Sequence, residues 1–310
     1  MEAVAGAAVV VAAAVAARND KKQFMSATLR QSAIGIPHSA IGVGLGFREP
    51  FRADLFLNRQ GVDFLEITAD HYLDAAPAKE RELELLAEHF TLIPHGLDLS
   101  LGSAEGLDFV YLKKLARLVE KLNPPWWSEH ISFTHAGGIP IGHLAPLPFT
   151  REAIAAIARN VARVRDFIGA PLILENITYL LTMPGGEMDE AMFLSEVLAT
   201  TDCGLLLDVT NLHINAVNHG YSVDEFLARL PLERVVQLHF VGGHKHGEIL
   251  LDSHSRPTPN AIWDVMEKVL AGAPVKGAIL ERDENLPPFQ DILAELAQAR
   301  ELGRRYGRWA

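Results

Sequence analysis

The chain has 310 residues, 49% hydrophobic and 22% charged, with one Cys, 13 His and a formal net charge of −11. That is enough for one large domain or two ordinary ones, and it excludes a disordered tail, a collagen-like repeat and a disulfide-stapled secreted module. The acidic balance argues against nucleic-acid and anionic-membrane partners, because neutralising phosphate needs a basic face. Cys203 has no partner for an internal disulfide. It reads as a small buried residue and fits a reducing cytoplasm.

Val4 to Ala17 is almost wholly Ala, Val and Gly, followed by the polar run Arg18–Gln23. Glu2 stands where a secretory signal would carry positive charge, and the apolar run is too short for an ordinary membrane-spanning helix. Residues 1–37 are therefore read as a flexible extension, with Met25 as an alternative start, and 38–310 as a single catalytic domain.

From Ile41 onward, short apolar runs alternate with amphipathic segments. Strands are expected at Ile41–Phe47, Asp63–Thr68, Phe90–Gly96, Trp126–Phe133, Pro171–Ile177, Cys203–Val209, Arg234–Gly242 and Gly277–Asp283. Helices are expected at Pro77–His89, Leu107–Leu122, Thr150–Ile168, Asp189–Ala199, Val223–Leu230 and Pro259–Ala271. Alternating strands and helices imply a parallel sheet, and eight such units match a closed (β/α)8 TIM barrel better than an open doubly wound sheet. The longer connections, His135–Pro148 and Gly242–Pro259, are read as loops on the C-terminal side of the barrel, where such barrels carry their sites.

Nearly every expected strand finishes in a group that can bind metal or move a proton. Glu66 is followed by Asp70 and His71; then come His95, the pair Glu129–His130, and Glu175 with Asn176. Asp208 is followed by Asn211 and His213, His239 by His244, His246, Asp252 and His254, and Glu281 by Asp283. Closing the barrel would gather these ends at one mouth, and burying so many carboxylates together is prohibitive without compensating cations. Mixed imidazole and carboxylate donors without thiolate suit iron, manganese or zinc rather than a structural zinc site. The cluster exceeds the needs of one ion, so at least two are expected.

Several residues carry plainer readings. Glu66 reads equally as a partner in an internal ion pair, and Arg48 either as a holder of substrate carboxylate or as a surface ion pair. His38, His89, His135, His143, His219 and His246 read as loop or surface residues. GVGLG (Gly42–Gly46) lacks the Lys of a phosphate loop and reads as close backbone packing, and Trp126–Trp127 as core.

The stretches Pro94–Ser103, Ser128–Phe133, His143–Thr150, Leu172–Leu180, Gly204–Gly220, Gln237–His244, Leu250–Pro257 and Leu280–Pro287 resemble, in order, the signatures of the multinuclear non-heme iron-dependent oxidative enzymes. The resemblance runs from about Ile41 to Leu296 and implies a xylose-isomerase-like barrel holding two or three irons of mixed Fe(II)/Fe(III) valence. It implies His95, Glu129, Glu175, Asp208, His239 and Glu281 as inner ligands, with Glu129, His239 and Glu281 closest to the chemistry. It places His71, Asn211, Asp252 and His254 at a more labile position, Asn176 and His130 behind the ligands, and His244 near substrate. The implied activity is O2-dependent oxidation of a ribosomally synthesised precursor peptide, often at a Cys, delivered by a small leader-recognition partner protein. Two other readings use the same residues. One is a divalent-metal sugar isomerase or zinc phosphodiesterase on the same barrel; the other is a non-catalytic metal-binding scaffold.

Overall fold

Short apolar runs bounded by turns became strands, and the amphipathic segments between them became the helices that cover them. The computed structural model describes residues 34–309. In chain order its strands are β1 (Gly42–Gly46), β2 (Phe64–Thr68), β3 (Thr91–His95), β4 (Trp127–His130), β5 (Phe133–Ala136), β6 (Ile139–Ala145), β7 (Leu172–Glu175), β8 (Gly204–Asp208), β9 (Val235–Phe240), β10 (Gly242–His246), β11 (Ile249–Arg256) and β12 (Gly277–Leu280). Eight of them close into a barrel in the order β1-β12-β9-β8-β7-β4-β3-β2, and the other four form two antiparallel hairpins, β5–β6 and β10–β11. The barrel pairings are parallel. With helices outside, this is the (β/α)8 architecture.

The helices start and stop where local chemistry dictates. Asp108 accepts from the backbone N–H of Val110 and Tyr111 to open the helix Phe109–Leu122, and Asn123, at φ 44°, closes it in the left-handed region. Leu112, Leu115, Leu118 and Val119 form that helix's buried stripe. Thr150 and Asp189 cap the helices Arg151–Arg165 and Glu190–Thr201 in the same way. Among the described residues, no helix is long and apolar enough to cross a membrane.

Three expectations change. The run Trp126–Phe133 is not one strand, since β4 stops at His130 and β5 begins the first hairpin at Phe133. Both long connections contain hairpins rather than plain loops. Ile36 is buried beneath the barrel, so the packed domain reaches back before residue 38. The Ala/Val-rich stretch of residues 1–33 lies outside the described residues.

The interior is layered. At the floor Ile36 packs with Phe64, Ile93, Trp126, Ile173, Leu206, Val236 and Ile279. A register shift between β8 and β9 breaks the alternation there, so Val236 joins the floor while the next residue, Gln237, bonds Trp126 inside the barrel. The GVGLG strand makes room for its neighbours. A Cβ on Gly44 would lie 2.6 Å from the Phe64 carbonyl oxygen and 2.7 Å from Ile279 Cδ1. Close packing, not phosphate binding, accounts for it, and both Trp126 and Trp127 are fully buried.

Gly242 opens the second hairpin under equally tight constraint, because a Cβ there would lie 2.1 Å from the Pro257 carbonyl oxygen and 2.6 Å from that of Arg256. Both obstacles are backbone, so Gly242→Ala should push β11 away from β10 at a cost of about 1–3 kcal/mol. The expected result is a lower melting temperature together with weakened metal uptake, because β11 carries Asp252 and His254. Thermal denaturation and metal titration of the same variant would test both parts.

Candidate metal centre

Strand phase decides which side chains meet in the mouth. On β2, Glu66 follows Phe64 by two residues and shares its inward face; on β3, His95 follows Ile93 in the same way. Glu175 follows Ile173 on β7, Asp208 follows Leu206 on β8, and Glu281 follows Ile279 just past β12. His239 follows Gln237 on β9.

The resulting side chains lie close together. The His95 and His130 Nε2 atoms each lie 3.3 Å from Glu175 Oε2. His239 Nδ1 lies 3.2 Å from Glu175 Oε1 and 3.1 Å from Glu281 Oε2. Two groups therefore have donor atoms spaced to hold an ion, His95–His130–Glu175 and Glu175–Asp208–His239–Glu281, with Glu175 common to both. His254, Glu281 and Asp283 form a third, more exposed group. Asp252 is joined to it through His254, whose Nε2 lies 2.9 Å from Asp252 Oδ1.

The hairpin β10–β11 brings His254 back over the mouth, and the site fixes it there. Its ring Nδ1 lies 3.0 Å from Asp283 Oδ2, and its carbonyl oxygen accepts from the Asp283 N–H at 3.0 Å. Its φ of 48° is a left-handed conformation uncommon for a side chain of this size. Arg48 in turn grips Asp283 and donates to the Phe47 carbonyl.

Charge follows from this crowding. Burial alone would depress the His239 pKa, but Glu66, Glu175 and Glu281 hold it well above the usual imidazole range. His254 is likewise raised well above that range, against burial, by Glu281 and Asp252. For His130 burial is outweighed by Glu175 and Glu129, and its pKa stands at about 9. Glu175 is lowered despite burial by His239, His130 and His95, and Glu281 falls well below the usual carboxylate range through His254 and His239. Asp208 goes the other way, pushed well above its usual value by burial, Asp252 and Glu175. Without an ion, bound protons supply the positive charge that the carboxylates require.

The residues fit a metal. Glu175 Oε2, Asp208 Oδ2, His239 Nδ1 and Asp252 Oδ1 are buried and make no well-aligned hydrogen bond, although ion-pair partners lie beside Glu175 Oε2, His239 Nδ1 and Asp252 Oδ1. Such atoms are costly unless something else satisfies them. Here all four belong to the mouth, where an ion held by these groups would satisfy them. The same side of Asp208 that lacks a partner is free because its Oδ1 already caps the helix Val209–His219 through the Asn211 N–H at 2.8 Å.

Of the residues singled out from sequence, His95, Glu175, Asp208, His239, Asp252, His254 and Glu281 converge. Glu129 does not join them: β4 alternation puts Trp126, Ser128 and His130 inward, whereas Glu129 accepts from the Leu99 N–H at 3.3 Å and its Oε2 lies against Gly96, 2.5 Å from where a Cβ there would be. His130 takes the inward place instead. His71 is exposed on a turn and lines two surface clefts. Asn211 lies beside Asp208, but its amide is spent on the Asn176 carbonyl and Thr178. His244 is exposed on β10 and bonds Ser253 at 2.8 Å. Arg48 forms the ion pair with Asp283 rather than standing free. Asp283, absent from the expected ligands, is a member of the third group.

A closed parallel barrel with buried imidazoles and carboxylates spaced to hold an ion at its C-terminal mouth defines the class, a TIM-barrel enzyme with a candidate metal site. Residues 42–304 match the family described as RiPP precursor modification enzyme MbnB/TglH/ChrH, and the chain belongs to that family. It is 36% identical over 270 residues to a UPF0276 protein of Caulobacter vibrioides (strain NA1000 / CB15N), covering 87% of this chain and 94% of the relative. A UPF0276 protein of Bordetella pertussis is 35% identical over 276 residues, with coverage of 87% and 94%. Solved structures share the fold alone. D-psicose 3-epimerase in the presence of D-fructose aligns with TM-score 0.55 and 12% identity over 86% of this chain and 99% of its own. Endonuclease IV from Thermus thermophilus aligns with TM-score 0.51 and 16% identity over 86% and 98%.

Proposed function

We propose that this chain is a multinuclear iron-dependent, O2-using oxidoreductase that modifies a ribosomally synthesised precursor peptide at a Cys residue, with a small partner protein delivering the peptide leader in a reducing cytoplasm. The observation that carries the reading is the set of buried ligand atoms without a well-aligned hydrogen bond at the mouth, on a chain whose family modifies such precursors. Glu175 would be shared by one ion held with His95 and His130 and another held with Asp208, His239 and Glu281. Asp252, His254 and Asp283 would serve a third, more accessible ion. Iron bound there would supply one-electron chemistry with O2.

The chain's own residues do the rest. Asp208, capping the helix Val209–His219 through one oxygen, presents the other in a fixed direction. Asn176 locks that strand end from both sides, its Oδ1 accepting from the Asp208 N–H at 2.9 Å and its Nδ2 donating to the Asp208 carbonyl at 3.1 Å. Arg48 and Asp283 hold His254 at the entrance, so the hairpin and the end of β12 position the accessible side where a peptide would approach.

The test is metal analysis and Mössbauer spectroscopy on anaerobically purified, iron-57-loaded protein, followed by exposure to air with a genomically neighbouring precursor peptide. Two or more irons per chain, O2 uptake and a mass change confined to the peptide are expected. Peptide modification under strict anaerobiosis with zinc alone, or turnover of a sugar without O2, would overturn it.

A further inference from the structure

We propose that Glu66 is a positioning residue that fixes Nδ1 of His239 as the nitrogen offered to metal, an inference that rests on the metal-dependent reading above. Glu66 sits on β2 below the mouth and is 3% exposed. The two nitrogens of His239 stand in opposite settings. Nε2 lies 2.8 Å from Glu66 Oε1 and 3.0 Å from Oε2. Nδ1 is buried, without a hydrogen bond, and faces Glu175 and Glu281.

What sets the direction of this arrangement is a chain of hydrogen bonds that begins at the floor. The Trp126 indole N–H can only donate, and it donates to Gln237 Oε1 at 2.8 Å. That settles the orientation of the Gln237 amide, so its NH2 faces upward and donates to Glu66 Oε2 at 2.6 Å. Glu66, as a carboxylate, only accepts. Both of its oxygens lie within 3.0 Å of Nε2, which requires a proton on that nitrogen. The Gln237 amide nitrogen also lies near Nε2, at 3.2 Å, but it is closer to Glu66 and would meet a lone pair on Nε2 only if Glu66 faced that lone pair too. The chain thus runs one way, Trp126 to Gln237 to Glu66, with His239 donating back to Glu66. When an ion displaces the second proton of the ring, the lone pair it frees is that of Nδ1, which points into the mouth. Carboxylates behind metal-bound imidazoles orient the ring and raise its basicity in just this manner, and removing them costs about 10–100-fold in metal affinity.

The polarity argument yields a discriminating pair of variants. In Glu66→Gln, an amide oxygen in the Oε2 place still accepts from Gln237, but the NH2 then stands in the Oε1 place, 2.8 Å from His239 Nε2, donor against donor unless the ring gives up its Nε2 proton; turned the other way, the NH2 opposes the Gln237 NH2, so one link is lost either way. The exchanged pair E66Q/Q237E restores every link: the indole donates to the new carboxylate, the amide at 66 donates to that carboxylate as well, and its oxygen accepts from His239 Nε2. Zinc affinity by chelator competition, anaerobic Fe(II) uptake, and 15N NMR of histidine-labelled, zinc-loaded protein are the measurements.

The wild type should bind zinc through His239 Nδ1 with a proton on Nε2. E66Q should lose about 10–100-fold in affinity for either metal, and the exchanged pair should recover most of it. Coordination through Nε2 in the wild type would overturn the inference whatever the variants do. So would unchanged affinity in E66Q, or an exchanged pair no better than E66Q. If the wild type binds neither zinc nor iron, the proposed function falls and this inference with it; if it binds both and E66Q matches it, only the inference falls.

Discussion

Replacing Glu175 with glutamine should leave the barrel folded but unable to hold its full set of ions. Among the described residues Glu175 alone is common to the two buried groups, its Oε2 facing His95 and His130 and its Oε1 facing His239. An amide at this position keeps the shape but offers one neutral oxygen in place of two charged ones. Loss of a residue merely behind a ligand costs about 10–100-fold in affinity, and loss of a shared ligand should cost more. The expected result is at least one ion fewer per chain by metal analysis after anaerobic loading, with peptide modification falling by more than ~100-fold and far-ultraviolet circular dichroism unchanged. Full metal content in E175Q would mean that the ions, if bound, are held around other carboxylates.

Metal binding should also be strongly linked to pH, with opposite trends for the metal-free and loaded forms. His130 titrates at about 9 in the folded, metal-free chain, and His239 and His254 are shifted in the same direction. An unfolded imidazole titrates near ~6.5. Because the folded values are higher, the stability these pairs contribute is fully present below the unfolded value and is lost as pH rises through the folded one. The metal-free protein should therefore melt at lower temperature as pH goes from 7 to about 9. An ion competes with those same protons, so its affinity should climb across that window, and Asp208, raised by burial and by Asp252 and Glu175, must also give up its proton. Calorimetric titration at neutral pH in buffers of different ionisation enthalpy should register release of more than one proton per chain. Uptake with no proton release would show that the histidines are neutral beforehand.

The barrel was legible because its strands are short apolar runs separated by amphipathic helices, and its C-terminal strand ends necessarily share one mouth. That rule alone located His95, Glu175, Asp208, His239 and Glu281. It could not choose between Glu129 and His130, since the strand opens with two tryptophans and offers no alternation to set its phase; packing of Trp126 in the floor sets it instead. Hairpin β5–β6 does have a local signal, adjacent Gly137 and Gly138 with φ of 61° and 72°, the residues a tight hairpin turn demands. The pairing of Arg48 with Asp283 spans 235 positions in sequence and exists only because β1 and β12 close the barrel. A β-bulge in β9 was equally invisible, although it is what allows Gln237 to stand between the floor and Glu66.

The floor layer also has a kinetic meaning. Side chains from seven of the barrel's segments and Ile36 from below pack across the end opposite the candidate metal centre, which leaves the mouth as the natural way in. On the proposed function, a peptide settled over the mouth would stand in the path of any diatomic gas bound for ions held behind it. Turnover on such a plan has a traffic order: the gas must already be inside or slip past a loosely seated peptide, and excess peptide should slow the reaction most when the gas is scarce.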